Sequence, residues 1–261
     1  MAFKTLRVES TDAITTIFIN RPSQRNSITN ELMDDLRAFV EQVRGSQTTR
    51  AIILIGAGKV FSAGLDERML TLMRDTQSND LVRERLRAWR ATLDTFEALP
   101  QMTFAAVNGP ASGAGLTLAL ACDFRIASTH AFFSVPEVKL GLAFGLGGTQ
   151  RLTRLVGASA EKEIILRGRN VTAIDAQRMG LVHRIAEPGD VMGLARSWAE
   201  RMNNYPANAI ASAKKLIDDS FTQTAHESTE AELAAFVELL QTVDFTQPPV
   251  ATIENEPTPN E

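Results

Sequence analysis

Glu137 is the side chain in this sequence best placed to move a proton. It follows Pro136 and stands among Phe132, Phe133, Val135, Val138 and Leu140. A carboxyl group in apolar surroundings loses hydration, which raises its pKa toward neutrality and makes it an effective general acid or base. A lone glutamate is more often a solvated surface residue; these neighbours argue for burial. The second chemical feature is Asn108-Gly109-Pro110-Ala111-Ser112-Gly113-Ala114-Gly115, which runs into the apolar segment Leu116–Ala121. A strand, a glycine turn and a helix start leave backbone N–H groups without internal acceptors, and such a terminus favours developing negative charge. Close packing of a helix on a strand asks for the same glycines, so on this stretch alone both readings stand. It is not an esterase nucleophile elbow, because Ser112 lacks a glycine two residues before it.

Other candidates are weaker. Gly56-Ala57-Gly58-Lys59-Val60-Phe61 follows an apolar run, but Phe61 stands where a dinucleotide fingerprint needs its third glycine, and no Lys-Ser/Thr pair follows. It reads as a turn. His130, His183 and His226 lie far apart with no metal-ligand spacing, and Cys122 is the single cysteine, so no metal site is expected.

The elements that must position these residues alternate between strand and helix. Thr5–Glu9 and Ala13–Ile19 read as paired strands, and Ala51–Ile55 and Thr103–Val107 as short strands buried on both faces. Thr29 reads as the N-cap of a helix with Leu32, Leu36, Phe39, Val40 and Val43 on one stripe, stopped at Gly45. Leu81–Leu99 reads as a longer amphipathic helix ended by Pro100. This alternation predicts a layered α/β fold. From Val191 the pattern is helical only: Val191–Asn204, Ala207–Phe221 and Ser228–Val243. Three segments follow: a core over 1–190, a helical region over 191–245 and a disordered acidic tail over 246–261.

Composition narrows the function classes. The 261 residues carry 27 basic and 31 acidic side chains, a formal charge of −4 that argues against general nucleic-acid binding. The N-terminus lacks a signal-peptide pattern and no stretch is long enough to cross a bilayer, so the expectation is a cytoplasmic protein without a membrane partner.

Taken together, FSAGLD (Phe61–Asp66), AVNGPASGAG (Ala106–Gly115), ACDFRIAS (Ala121–Ser128), PEVKLGL (Pro136–Leu142) and GGTQRLTRLVG (Gly147–Gly157) resemble the enoyl-CoA hydratase/isomerase, or crotonase, superfamily. NRPSQRNSI (Asn20–Ile28) and DAQRMGLVHRI (Asp175–Ile185) extend the resemblance, which runs as far as Phe245. It implies a spiral of ββα turns, a helical C-terminal part that forms homotrimers or hexamers, and an acyl-CoA thioester substrate. No separate cofactor is implied, since coenzyme A is part of the substrate. The thioester oxygen would be held by the backbone N–H groups of Leu65 and Ala114, beside Gly113. Donors of this kind contribute roughly 3–4 kcal/mol each when the oxygen gains charge.

Glu137, after Pro136, matches one of the two hydratase glutamates, and it is also the single catalytic glutamate position of many isomerases. The other hydratase glutamate falls at Thr117, which cannot act as a general acid or base near neutral pH. The extra aspartates of dienoyl isomerases would lie at Thr117 and Gly145 and are missing. The resemblance therefore favours one-carboxylate isomerisation over hydration, then β-diketone hydrolysis, then non-catalytic acyl-CoA binding. It assigns Arg25, Ser27, Ser62, Ala63, Asp66 and Arg68 to coenzyme A recognition, with Arg25 and Arg68 toward phosphate. After Phe245 the chain turns proline-rich and acidic where family members continue into a basic stretch. Glu67–Asp80, with Met69 and Met73, is expected to border the acyl pocket as a mobile segment.

Overall fold

A computed structural model describes residues 3–244. In chain order the strands are β1 (Leu6–Thr11), β2 (Ile14–Ile19), β3 (Ala51–Gly56), β4 (Met102–Val107), β5 (Ala111–Ser112), β6 (Phe124–Ser128), β7 (Phe132–Ser134), β8 (Val171–Thr172) and β9 (Arg184–Ala186). The helices are α1 (Asn30–Val43), α2 (Glu67–Asp75), α3 (Asn79–Glu97), α4 (Ala114–Leu120), α5 (Gly148–Arg167), α6 (Ala173–Arg178), α7 (Val191–Met202), α8 (Ala207–Asp219) and α9 (Ala225–Leu240). The main sheet has the order β1-β2-β3-β4-β6-β9, and a small second sheet has the order β5-β7-β8. Only the β1–β2 pair of the main sheet is antiparallel, with Leu6 opposite Ile19. The rest is parallel, and every residue of β3 and β4 is buried, as uninterrupted apolar runs require.

The α1 stripe is buried as its periodicity predicts, with Met33 added to it, and Thr29 Oγ1 accepts the Leu32 N–H at 3.3 Å. Glu67–Asp80 contains a helix, α2, followed by the start of α3. Asp66 caps α2 by accepting the Arg68 N–H at 3.0 Å, and Met69 anchors it in the core. A single buried residue gave the segment too weak a periodicity to be read as helical. Likewise α3 begins at Asn79, capped by Ser78, and α9 begins at Ala225, because Thr224 and Glu227 form a capping box.

Arg151, only 2% exposed, holds the start of α5 to α3. It donates to Glu97 Oε2 at 2.6 Å and to Asp94 Oδ1 at 2.6 Å, and also to the Leu146 carbonyl at 3.0 Å. Arg125, fully buried, donates to the Cys122 carbonyl at 2.7 Å and to the Leu181 carbonyl at 2.8 Å. A cation at the C-terminal end of α4 complements the carbonyls exposed there.

Two compact units result, Met1–Glu200 and one starting at Arg201. Most of α7 packs into the first unit through Val191, Ala195, Trp198 and Ala199. In the second unit α8 and α9 contact each other, and neither buries a residue. The acidic tail over 246–261 lies outside the described residues.

Candidate active site

Three segments distant in sequence meet at the start of α4. The FSAGLD segment is threaded between two neighbours: Ser62 bridges Ala111 and Leu65 bridges Ile28, both in parallel register. Ile28 N–H donates to the Gly64 carbonyl at 2.8 Å and Asp66 N–H donates to the Ile28 carbonyl at 3.0 Å. This pattern leaves the Leu65 N–H on the opposite side of the bridge. Ala114 is the first residue of α4, so its N–H has no acceptor within the helix. Two glycines permit the approach. Gly64 has φ +91, and a Cβ on it would lie 2.7 Å from the Ser112 carbonyl oxygen and 3.6 Å from Ala114 N. A Cβ on Gly115 would meet Ser62 Oγ at 2.7 Å. The glycine stretch thus serves both of its readings at once, close packing and unsatisfied N–H groups.

Glu137 opens a short 3-10 turn, Glu137–Leu140, after Pro136. Its carboxylate lies against Gly113, whose φ of +51 and ψ of −123 belong to glycine, and a Cβ there would collide with Glu137 Oε1. Glu137 Oε2 is buried with no hydrogen-bond partner among the described residues. Burial pushes the Glu137 pKa above its ordinary value, against the smaller opposing effect of its own backbone N–H. Leu65, Ala114 and Glu137 line one cavity of about 560 Å3, with Leu70, Met73 and Leu146 among its apolar walls. Glu137 is the one carboxylate on that lining.

Thr117 is one turn further along α4. It is 0% exposed and its hydroxyl reaches only the Gly113 carbonyl, at 3.5 Å. It does not line the cavity. The segment Glu67–Asp80 does border it, through Leu70, Thr71, Met73 and Arg74.

The residues assigned to coenzyme A recognition divide into two groups. Arg25 and Arg68 are exposed and have no ion-pair partner among the described residues. Ser62 is fully buried, donating to the Asn26 carbonyl at 2.8 Å and accepting from Gly64 N–H at 3.3 Å, so its side chain braces the loop. Ser27 Oγ donates to Asp66 Oδ2 at 2.9 Å, and Ala63 N–H donates to the Arg25 carbonyl at 3.0 Å. Sequence reasoning missed Asn26. It takes φ +54 and donates to the Ala57 and Val60 carbonyls at 2.9 and 2.7 Å, fixing the loop that carries Ser27. Its signal was an asparagine in a left-handed position next to Arg25, visible only once the backbone is known. His183 is structural. Burial, then the Arg125 charge, lowers its pKa to about 4. No cluster of three or more metal-binding side chains occurs among the described residues, and none of the helices there is long and apolar enough to cross a membrane.

Residues 9–259 match the family model described as enoyl-CoA hydratase/isomerase. The chain is 32% identical over 255 residues to the short-chain-enoyl-CoA hydratase of Clostridium acetobutylicum, covering 97% of this chain and 96% of that one. It is similar to the crystal structure of an enoyl-CoA hydratase from Bacillus anthracis, at 33% identity and TM-score 0.85, covering 91% of this chain and 92% of that one. A Thermobifida fusca YX protein solved in complex with acetoacetyl-CoA matches at 25% identity and TM-score 0.83, covering 92% of this chain and 96% of that one.

Proposed function

The chain belongs to the enoyl-CoA hydratase/isomerase family, and from that premise we propose that it isomerises 3-enoyl-CoA thioesters to 2-enoyl-CoA thioesters through an enolate, with Glu137 as the single proton carrier. The observation that carries this reading is the asymmetry of the site. One carboxylate lines the cavity, and the position of the second hydratase carboxylate is a buried threonine.

In this mechanism the thioester oxygen accepts hydrogen bonds from the Leu65 and Ala114 N–H groups. Ionised Glu137 removes a proton from C2, and the C–H electron pair moves toward the thioester oxygen to give a dienolate. The two N–H groups stabilise that charge more than they stabilise the ground state, by roughly 3–4 kcal/mol per donor. The same proton is then delivered to C4, and the double bond settles between C2 and C3. Atoms and charge balance without a cofactor or added water. A raised pKa suits Glu137 to both halves of this exchange, since base and conjugate acid are each needed once. Arg25 and Arg68 supply the positive charge for the coenzyme A phosphates, and the acetoacetyl-CoA complex of the Thermobifida fusca relative supports a thioester ligand. The exposed apolar side of α9, with Leu233, Phe236 and Val237, supports assembly into a homotrimer.

Hydration is the second reading, supported by the hydratase named among the relatives. A paired assay separates the two. Trans-3-hexenoyl-CoA should yield a conjugated enoyl thioester, and the product should vanish in Glu137→Gln. Conversion of crotonyl-CoA to a hydroxyacyl thioester, identified by mass, at a rate above the isomerisation would replace isomerisation with hydration.

A further inference from the structure

The loop from Ala143 to Gly147 is a partition between two cavities. Ala143, Gly145 and Leu146 line the cavity that holds Glu137. Phe144 and Gly147 instead border a second recess of about 560 Å3, whose other lining residues include Arg90, Thr149, Gln150 and Arg154. That second recess is open to water, and although polar side chains stand along it most of its exposed lining is apolar. The Phe144 ring is 8% exposed and wedged inward. A Cβ on Gly148 would lie 2.6 Å from ring atom Cε1 and 2.6 Å from Thr117 Oγ1, so ring edge and hydroxyl converge on one point. Thr117 is three residues after Ala114 and so shares its face of α4, which places this point behind the oxyanion side of the acyl cavity. The partition is fixed in place, because buried Arg151 donates to the Leu146 carbonyl at 3.0 Å and Thr149 Oγ1 donates to the Phe144 carbonyl at 3.2 Å.

We propose that Phe144 is the specificity-determining residue of this site: its ring plugs the way from the open recess to Thr117 and keeps water out of the space behind the Ala114 lining of the acyl cavity. The inference rests on Glu137 being the single proton carrier. Hydration forms a C3–O bond and a C2–H bond, so it needs a water molecule held beside C3. With the space behind the Ala114 lining filled by a phenyl ring and a threonine engaged with its own helix, the proton on Glu137 is what remains to quench the dienolate.

The test uses the full chain with Phe144→Leu, Phe144→Val and Phe144→Ala, each alone and combined with Thr117→Glu. The readout is the ratio of hydration of crotonyl-CoA to isomerisation of trans-3-hexenoyl-CoA, with products identified by mass. A second readout is solvent deuterium retained in the isomerised product. Shrinking the side chain should raise the ratio stepwise, by about tenfold or more at alanine, and deuterium incorporation should rise with it. Thr117→Glu should gain more in the Phe144→Ala background than alone. If the alanine variant does not fold, the leucine and valine steps decide. A flat ratio across folded variants, with wild-type isomerisation intact, overturns the role of Phe144 and leaves Glu137's untouched. Wild-type hydration exceeding isomerisation overturns the one-carboxylate reading, and the role of Phe144 with it.

Discussion

The Glu137 wall of the cavity and the core behind it at Thr117 are built in opposite ways. Glu137 stands on a four-residue 3-10 turn, presses against a glycine and buries one carboxylate oxygen without a partner. Thr117 stands within α4, all seven residues of which are buried, and its hydroxyl reaches back to its own helix while an aromatic ring fills the space beside it. The wall keeps a titratable group buried without a partner, and the core behind it is a helix whose residues are all buried. The unpartnered carboxylate oxygen lies against a backbone conformation that only glycine takes readily, whereas the Thr117 hydroxyl is engaged with its own helix.

The largest expected effect breaks the Glu137 wall. Glu137→Gln should lower kcat for 3-enoyl-CoA isomerisation by about 10²–10⁴-fold, the range for loss of a general base, while acyl-CoA binding measured by calorimetry persists. Loss of binding along with turnover would instead make Glu137 a ligand contact. Gly113→Ala should come next. Its φ of +51 and its contact with the carboxylate mean a methyl group must displace Glu137, and a shift of order 1 Å costs about 10²-fold. Retained activity in a folded Gly113→Ala would show that Glu137 need not be held there.

The pH dependence sharpens the comparison without mutating the wall. Glu137 acts first as a base, so kcat/KM should rise with pH through its raised pKa. The acid limb should therefore lie above the ordinary glutamate value of about 4.3. A midpoint at or below that value contradicts a desolvated carboxylate.

Stability should move the other way. Because the folded pKa exceeds the unfolded one, the folded state binds more protons between the two values, and ionised Glu137 weakens the fold above its folded pKa. Glu137→Gln should therefore raise Tm at neutral pH, by about 2–4 °C per kcal/mol relieved. The gain should fade as pH falls through the folded value and be gone well below the unfolded value of about 4.3, where wild-type Glu137 is protonated in both states. A Tm that falls at neutral pH would mean the carboxylate has a partner.

The smallest effect on chemistry is expected from the second unit. Phe236 on α9 is 68% exposed, and Phe236→Glu should lower the particle mass seen by light scattering while the acid limb of the Glu137 profile stays in place. An unchanged mass would remove α9 from the assembly surface.

Much of this architecture was legible from residue types. The α1 stripe, the uninterrupted apolar runs of β3 and β4 and the glycines before α4 each carry a local signal, because periodicity and positive φ are properties of short segments. α2 was not legible: its single buried residue, Met69, leaves little periodicity, and its order comes from the Asp66 cap and the cavity beside it. Nor was the inward role of Ser62, whose type suits a ligand contact equally well.

The sequence by itself supplied the candidate proton carrier Glu137, a threonine and not a carboxylate at position 117, and the glycines that let two loops approach. These follow from chemistry that a residue either has or lacks. The tertiary structure alone decided that Glu137 Oε2 is buried without a partner, that Asn26 and Arg151 fix the loops, and that Phe144 closes the space beside Thr117. Such facts depend on which atoms from distant segments share a few ångströms, and no local pattern encodes a distance between segments this far apart in the chain.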